Sequence, residues 1–485
     1  MKYFSVSKII FLTFLFSLNT SLFQAQNKSS SIERFLNKPS FKNASVGFCV
    51  KDLSGNEISK YNSKTSYTPA SILKIITTAT ALETLGANYR YKTTLAKDKN
   101  NPHQLYIHGY GDPTLGTSFL NNTPTAFLAE WSKQVKMAFD STTNIDITVI
   151  DNYWGYEGVS KRWIREDIGN YYGAGAYGVS IFDNTYKLFF NTIRTDTCPI
   201  IIKTEPEMHD ISFRNTMTLN TTGKDNGYIL NDLFSNSRIL TGDIPAGKTA
   251  FSIKGDIRDP GLYLAETLKD RLEKDGFTIS HTSTTMDRYF KEMYSGNKIE
   301  PEEEIFYTHQ SYPIKDIIRD VNVRSNNHYA EHLIRTIGRV DNKDIYTSPL
   351  DKGIEKTEEI WKSNGLDTDA LFMYDGCGLA PSNAVSPNFM CDLLVYMQTK
   401  SKNADVFLNS FAKAGKEGTV RNLLKGTRLE GKVYVKSGSI ANVQCFAGYY
   451  IDGDKKYAFT IMVNKFNGPR NQVVRAIKDL LLDTF

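Results

Sequence analysis

The sequence is short of several features that would assign it quickly. Its five cysteines (Cys49, Cys198, Cys377, Cys391 and Cys445) are far apart and odd in number. They make neither a disulfide framework nor Cys-x-x-Cys metal spacing; at most one or two bridges could form, and buried structural thiols are expected. No apolar run reaches the length of a comfortable membrane span. Internal repeats, low-complexity tracts and dense Lys/Arg blocks are also missing. The 58 basic and 53 acidic residues leave a net charge of only +5, so nucleic acid is not an expected partner. What is present is 40% hydrophobic residues over 485 positions, enough for a large core and two or three domains.

The chain starts with Lys2 and Lys8, then the apolar run Ile9 to Phe16, then a polar stretch with a small residue at Ala25. That outline is a secretory signal, residues 1–25, although Phe23 is not the small residue usually found two places before the end. Export to the periplasm is the expectation. Cleavage would leave 56 basic against 53 acidic residues, a charge of +3. Such a chain is compatible with peripheral contact at a membrane surface, and its composition carries no signal of oligomeric state.

Residues 44–50 and 57–61 read as two strands around a Ser54-Gly55-Asn56 turn. A helix follows: Thr68 as its cap, Pro69 in its first turn and Gly86 as its stop. From about 93 to 261 short Thr/Ile/Phe/Tyr strands alternate with Gly/Asp/Asn turns, with one helix near Phe127 to Phe139. Helices resume at Leu262 to Asp275, Ile314 to Gly338 and Asp351 to Gly365. The end is strand, strand, helix. Strands at both termini with helices between predict one discontinuous α/β domain, residues 26–92 and 262–485, interrupted by a β-rich insertion at 93–261.

Three short patterns carry chemistry. In the first helix turn, Ser71 and Lys74 are three residues apart on one face, so a desolvated lysine can take the proton of a serine nucleophile. The helix N-terminus opposes a charged Lys74 and favours an oxyanion. Ser-x-x-Lys recurs at Ser5, Ser295 and Ser410, so alone it says little. Second, Ser325 and Asn327 bracket one position in the stretch from Ile314. Ser325 could relay a proton to a leaving group, and Asn327 could hold Lys74 or a substrate amide. Third, Lys436-Ser437-Gly438-Ser439 lies on a β-branched, aromatic strand whose edge could pair with a peptide. Lys436 and Ser437 would bind a terminal carboxylate, and Gly438 admits a close backbone. The N–H groups of Ser71 and Ser439 would form an oxyanion hole, and Lys436 would lower the Lys74 pKa by repulsion.

Together the trio resembles the signature of penicillin-recognising serine enzymes. The chain is similar to class C low-molecular-mass penicillin-binding proteins, the D-alanyl-D-alanine carboxypeptidase/endopeptidase family. The likeness includes Thr68-Pro69-Ala70-Ser71, Gly111-Asp112-Pro113-Thr114-Leu115, Asn170-Tyr171-Tyr172-Gly173-Ala174, Arg324-Ser325-Asn326-Asn327 and Gly418-Thr419 through to Lys436-Ser437-Gly438. It implies a penicillin-binding transpeptidase-like (serine β-lactamase-like) fold, an antiparallel sheet flanked by helices, with the insertion between the first two motifs. It also implies peptidoglycan stem peptides as substrates, β-lactams as acylating inhibitors, and neither metal nor organic cofactor.

Two departures stand out. Ser437 replaces the family's usual threonine. In Asp375-Gly376-Cys377-Gly378-Leu379-Ala380-Pro381, Cys377 replaces a serine and Pro381 stands where arginine is common, which bears on how the stem peptide is read. The resemblance also points to Asp183 as an insertion acid that meets the substrate's free amine. The competing readings are a β-lactamase, against which the long insertion argues, and a non-catalytic peptidoglycan-binding scaffold, against which the complete set of polar residues argues.

Overall fold

In the computed structural model, residues 31–485 are described except for 122, 141–143, 195–197, 209–210, 232–235, 286–301, 343 and 345–346. The expected signal at 1–25 lies outside the described residues. The main sheet has six strands, and every neighbouring pair in it is antiparallel. β1 (Ser45–Asp52) and β2 (Glu57–Tyr61) come from the start of the chain; β3 (Val433–Ile440), β4 (Val443–Asp452) and β5 (Lys455–Asn464) come from its end. β1 pairs with β5, from Ser45 opposite Asn464 to Asp52 opposite Tyr457, so the two termini close one sheet.

That sheet is buried on both faces, which is why β4 and β5 read as near-continuous apolar runs. Alternation sorts their side chains. Cys445, Ala447, Tyr449, Ala458 and Met462 face the helices α1 (Lys74–Leu85), α2 (Ile314–Arg324), α3 (Asn327–Arg339) and α4 (Pro387–Thr399). Phe446, Phe459, Ile461 and Val463 face α5 (Arg470–Thr484), through Val473, Ile477 and Leu481. Each fully buried Leu or Ile of these layers contributes roughly 1.5–3 kcal/mol.

A second, five-stranded sheet takes in 278–284, 144–150, 104–109, 92–98 and 303–310, in that order. The helices Ala126–Ala138 and Pro260–Lys274 cover it through Trp131, Val135, Leu264 and Leu268. Smaller sheets between residues 185 and 256 form a fourth apolar cluster. The sequence put the return to the outer domain at 262. Residues 278–284 and 303–310 instead belong to the five-stranded sheet, and the helix at 260–274 leads into its parallel edge strand, 278–284 beside 144–150. A periodic helix looks the same in sequence whichever sheet it covers.

Two local expectations also changed. Thr68 does not cap: its side chain bonds the Pro381 carbonyl, and Ser71 sits in a 3-10 turn, Ala70–Leu73, before α1 begins. The single helix expected over 314–338 is two, broken at Ser325, which adopts φ 64° at the end of α2. All five cysteines are free, four buried and Cys198 exposed, so no bridge forms. Among the described residues no helix is long and apolar enough to cross a membrane.

Candidate active site

The three patterns meet beside Ser71. The loop that delivers this serine is clamped from both directions by the last residue of β5: Thr68 N–H donates to Asn464 Oδ1 (2.8 Å), and Asn464 Nδ2 donates to Thr68 O (3.0 Å). Ala70, with φ 47°, then turns the chain sharply into the 3-10 turn. Ser71 is left half-buried at its edge while Lys74, at the start of α1, is fully buried.

Lys74 Nζ has three polar neighbours: Ser71 Oγ at 3.0 Å, Asn327 Oδ1 at 2.7 Å, and the Cys377 carbonyl. The carbonyl can only accept. Asn327 must also accept, because its Nδ2 is committed to Tyr172 O at 2.8 Å. The third direction of the nitrogen therefore points at Ser71, and in the neutral amine that direction is the lone pair. Burial lowers the Lys74 pKa from its ordinary value, against opposing pulls from Cys377, Asp375 and Glu331. A neutral lysine so placed can accept a proton from Ser71.

Lys436 is also fully buried and donates to Ser325 Oγ at 2.8 Å and Ser437 O at 2.7 Å. Its pKa is driven well down by burial first and by Lys74 second. Repulsion between the two amines is mutual, so it disfavours a second positive charge whichever lysine is protonated first. Gly438 is where close approach matters most. A Cβ there would lie 2.5 Å from Pro69 O, 2.8 Å from Ile72 N and 2.9 Å from Ser71 N, so β3 can touch the backbone around Ser71 only with glycine. Among the described residues no strand pairs with Lys436–Ile440 on that side, since the short strand Ala412–Lys413 covers only Val435 and Tyr434.

Ser71 stands between two spaces. One, about 770 Å3, is lined by Ser325, Asn327, Ser439, Pro381, Tyr172 and Asp183, among others. The other, about 380 Å3, is lined by Ser325, Thr419, Ser437, Ser439 and the apolar Leu423 and Phe446. A larger cavity of about 1110 Å3, near Tyr67 and Lys42, includes none of the trio. Asp183 reaches the first cleft but is engaged internally: it accepts from Tyr329 Oη at 2.9 Å, and burial pushes its carboxyl up to about 6. Asp167 lines the same cleft, also raised to about 6 by burial and then by Glu166. The sequence reading passed over it.

The bracing behind Lys74 was missed as well. Asp375 accepts from Trp163 Nε1 (2.9 Å), Gly378 N (2.7 Å), Ala380 N (2.6 Å) and Asn383 Nδ2 (2.8 Å). Glu331 accepts from Gly376 N at 2.7 Å and pairs with Arg335 at 2.6 Å, both side chains buried. These bonds set the loop whose Cys377 carbonyl holds Lys74; the Cys377 thiol itself is buried and its pKa raised well above normal. Glu331, Asp375 and Cys377 bring ligand-type atoms within 4.8 Å of one another, but N–H donors already occupy both carboxylates, so the cluster reads as an internal ion-pair network.

Comparison with known proteins gives the chain's family. Residues 28–484 match the D-Ala-D-Ala carboxypeptidase 3 (S13) family. The chain is 26% identical over 457 residues to a D-alanyl-D-alanine carboxypeptidase of Actinomadura sp. (strain R39), covering 90% of this chain and 81% of that one. It is 22% identical over 442 residues to D-alanyl-D-alanine carboxypeptidase DacB of Haemophilus influenzae, covering 87% and 86%. In three dimensions it is similar to penicillin binding protein 4 of Haemophilus influenzae, with a TM-score of 0.74 at 19% identity over 91% of this chain and 96% of that one. A chain matched over nearly its whole described length, with a buried lysine aimed at a serine on a helix edge, is a serine hydrolase and belongs to the D-Ala-D-Ala carboxypeptidase 3 family.

Proposed function

We propose that the protein hydrolyses the terminal D-Ala-D-Ala bond of peptidoglycan stem peptides through an acyl-enzyme on Ser71. The observation that carries this reading is the three-way coordination of Lys74, two acceptors and one nucleophile. Ser71 Oγ attacks the carbonyl between the two alanines as its proton passes to Lys74 Nζ. The resulting oxyanion lies against the N–H groups of Ser71 and Ser439. The proton on Lys74 is then relayed through the Ser325 hydroxyl to the departing amine, which leaves Ser325 protonated and Lys74 neutral. The leaving carboxylate meets the hydroxyl of Ser437 with Lys436 behind it. Water then hydrolyses the ester.

The acyl part of the stem would occupy the cleft of about 770 Å3 and the leaving group the space of about 380 Å3. Asp183, together with Asp167, would meet a cationic amine of the stem. Attack on a crosslink uses the same groups, so endopeptidase activity is expected alongside. β-Lactams would acylate Ser71; a β-lactam complex is described for penicillin binding protein 4 of Haemophilus influenzae, TM-score 0.70. Residues 1–25 would direct export to the periplasm, and the outer domain of 26–92 and 311–485 would carry the chemistry.

Incubation with a purified muropentapeptide, followed by chromatography, tests the reading. Release of D-alanine by the wild type and none by Ser71→Ala is expected. Binding of the muropeptide without release would favour a scaffold, and rapid turnover of penicillin would favour a β-lactamase.

A further inference from the structure

Ser437 lines the smaller space beside Ser71. A serine side chain rotates among staggered positions, whereas a second branch at Cβ would stiffen it. Something else has to hold this hydroxyl if it is to present its proton to an anion. Thr419 is placed to do so, with its Oγ1 2.8 Å from Ser437 Oγ.

Thr419 sits in the short turn Gly418–Val420, and that turn is pinned to the end of α2. Gly418 has φ 60°, and a Cβ there would lie 2.3 Å from Val323 O, two residues before Ser325. On the other side, Ser437 O accepts from Lys436 Nζ, which also donates to Ser325. Thr419 thus meets the side-chain hydroxyl of Ser437, while Lys436 ties the backbone carbonyl of Ser437 to Ser325. An anion in the smaller space needs the Ser437 proton, so the hydroxyl pair must be ordered with Thr419 donating to Ser437 Oγ.

We propose that Thr419 is a positioning residue, which donates its hydroxyl proton to Ser437 Oγ and thereby aims the Ser437 O–H at the substrate's terminal carboxylate. This rests on the functional reading above.

The test measures kcat and KM on a D-Ala-D-Ala peptide for wild type, Thr419→Val, Thr419→Ser and the double variant Thr419→Val/Ser437→Thr, with melting temperatures alongside. Thr419→Val should raise KM about tenfold or more with kcat changed less than about twofold, since a bond to a charged group is at stake. Thr419→Ser should stay near wild type. The double variant should recover most of the lost affinity, because the new methyl restrains the hydroxyl. An unchanged KM in Thr419→Val overturns the proposal, as does a parallel loss in kcat and KM that the double variant does not restore. A wild type inert toward the peptide would overturn the functional reading instead.

Discussion

Lys74 Nζ and Asn327 Oδ1 stand 2.7 Å apart, and Tyr172 O fixes which way the amide faces. Asn327 thus offers Lys74 a neutral acceptor where a carboxylate would hold a proton on the amine. Asn327→Asp is expected to raise the Lys74 pKa by direct ion pairing. A base with a higher pKa is protonated over more of the pH range, so the acidic limb of the kcat/KM profile should move to higher pH. At pH 7 the rate of acylation should fall about 10–100-fold. A profile that keeps its acidic limb in place would show that Lys74 is not the base.

Asp183 makes a different kind of prediction. Burial raises its carboxyl to about 6, against bonds from Thr117 and Tyr329 that lower it. Between its ordinary range and about 6 the native state binds more protons than the unfolded chain, so this group's contribution to stability grows as pH falls. Asp183→Asn, which keeps an acceptor for Tyr329 and discards the buried charge, should be more stable than wild type at pH 8 by up to about 3 kcal/mol. The gain should shrink toward pH 5. Denaturant titrations at the two pH values check it, and a wild type equally or more stable at pH 8 would contradict it. The same variant should bind an amine-bearing stem peptide more weakly if the carboxylate meets that amine.

Gly438→Ala should cut kcat by about 10²–10³. The added Cβ would press on the backbone of Pro69, Ser71 and Ile72 at under 3 Å. Displacing the Ser71 N–H by a few tenths of an ångström spoils an oxyanion contact, a loss of about 10²–10³ in kcat. Gly453→Ala is a control for its fold: that glycine has a positive φ but open space around it. Steady-state kinetics on both variants separate the site effect from backbone strain.

The chemistry-bearing patterns were legible because each is local. Ser71 with Lys74 is a matter of three residues at the start of a helix, and Lys436 to Ser439 is one strand with a glycine where backbones touch. The break at Ser325 was not legible. No glycine or proline marks it, and the left-handed conformation there is held by tertiary neighbours such as Lys436. The support behind Lys74 was hidden for a related reason. Glu331 reaches Gly376 and Asp375 reaches Trp163 across 45 and 212 positions of chain, and a buried polar group's partner leaves no local spacing to read. The helix at 260–274 was seen as a helix but assigned to the wrong sheet, since its apolar stripe does not say which strands it covers.

Treating the protein with labelled penicillin, digesting it with trypsin and locating the label by mass spectrometry probes the central claim directly. One adduct per chain is predicted, on the Ser71 hydroxyl, absent from Ser71→Ala and slowed in Lys74→Ala. Label on another serine, or D-alanine release that persists in Ser71→Ala, would contradict it.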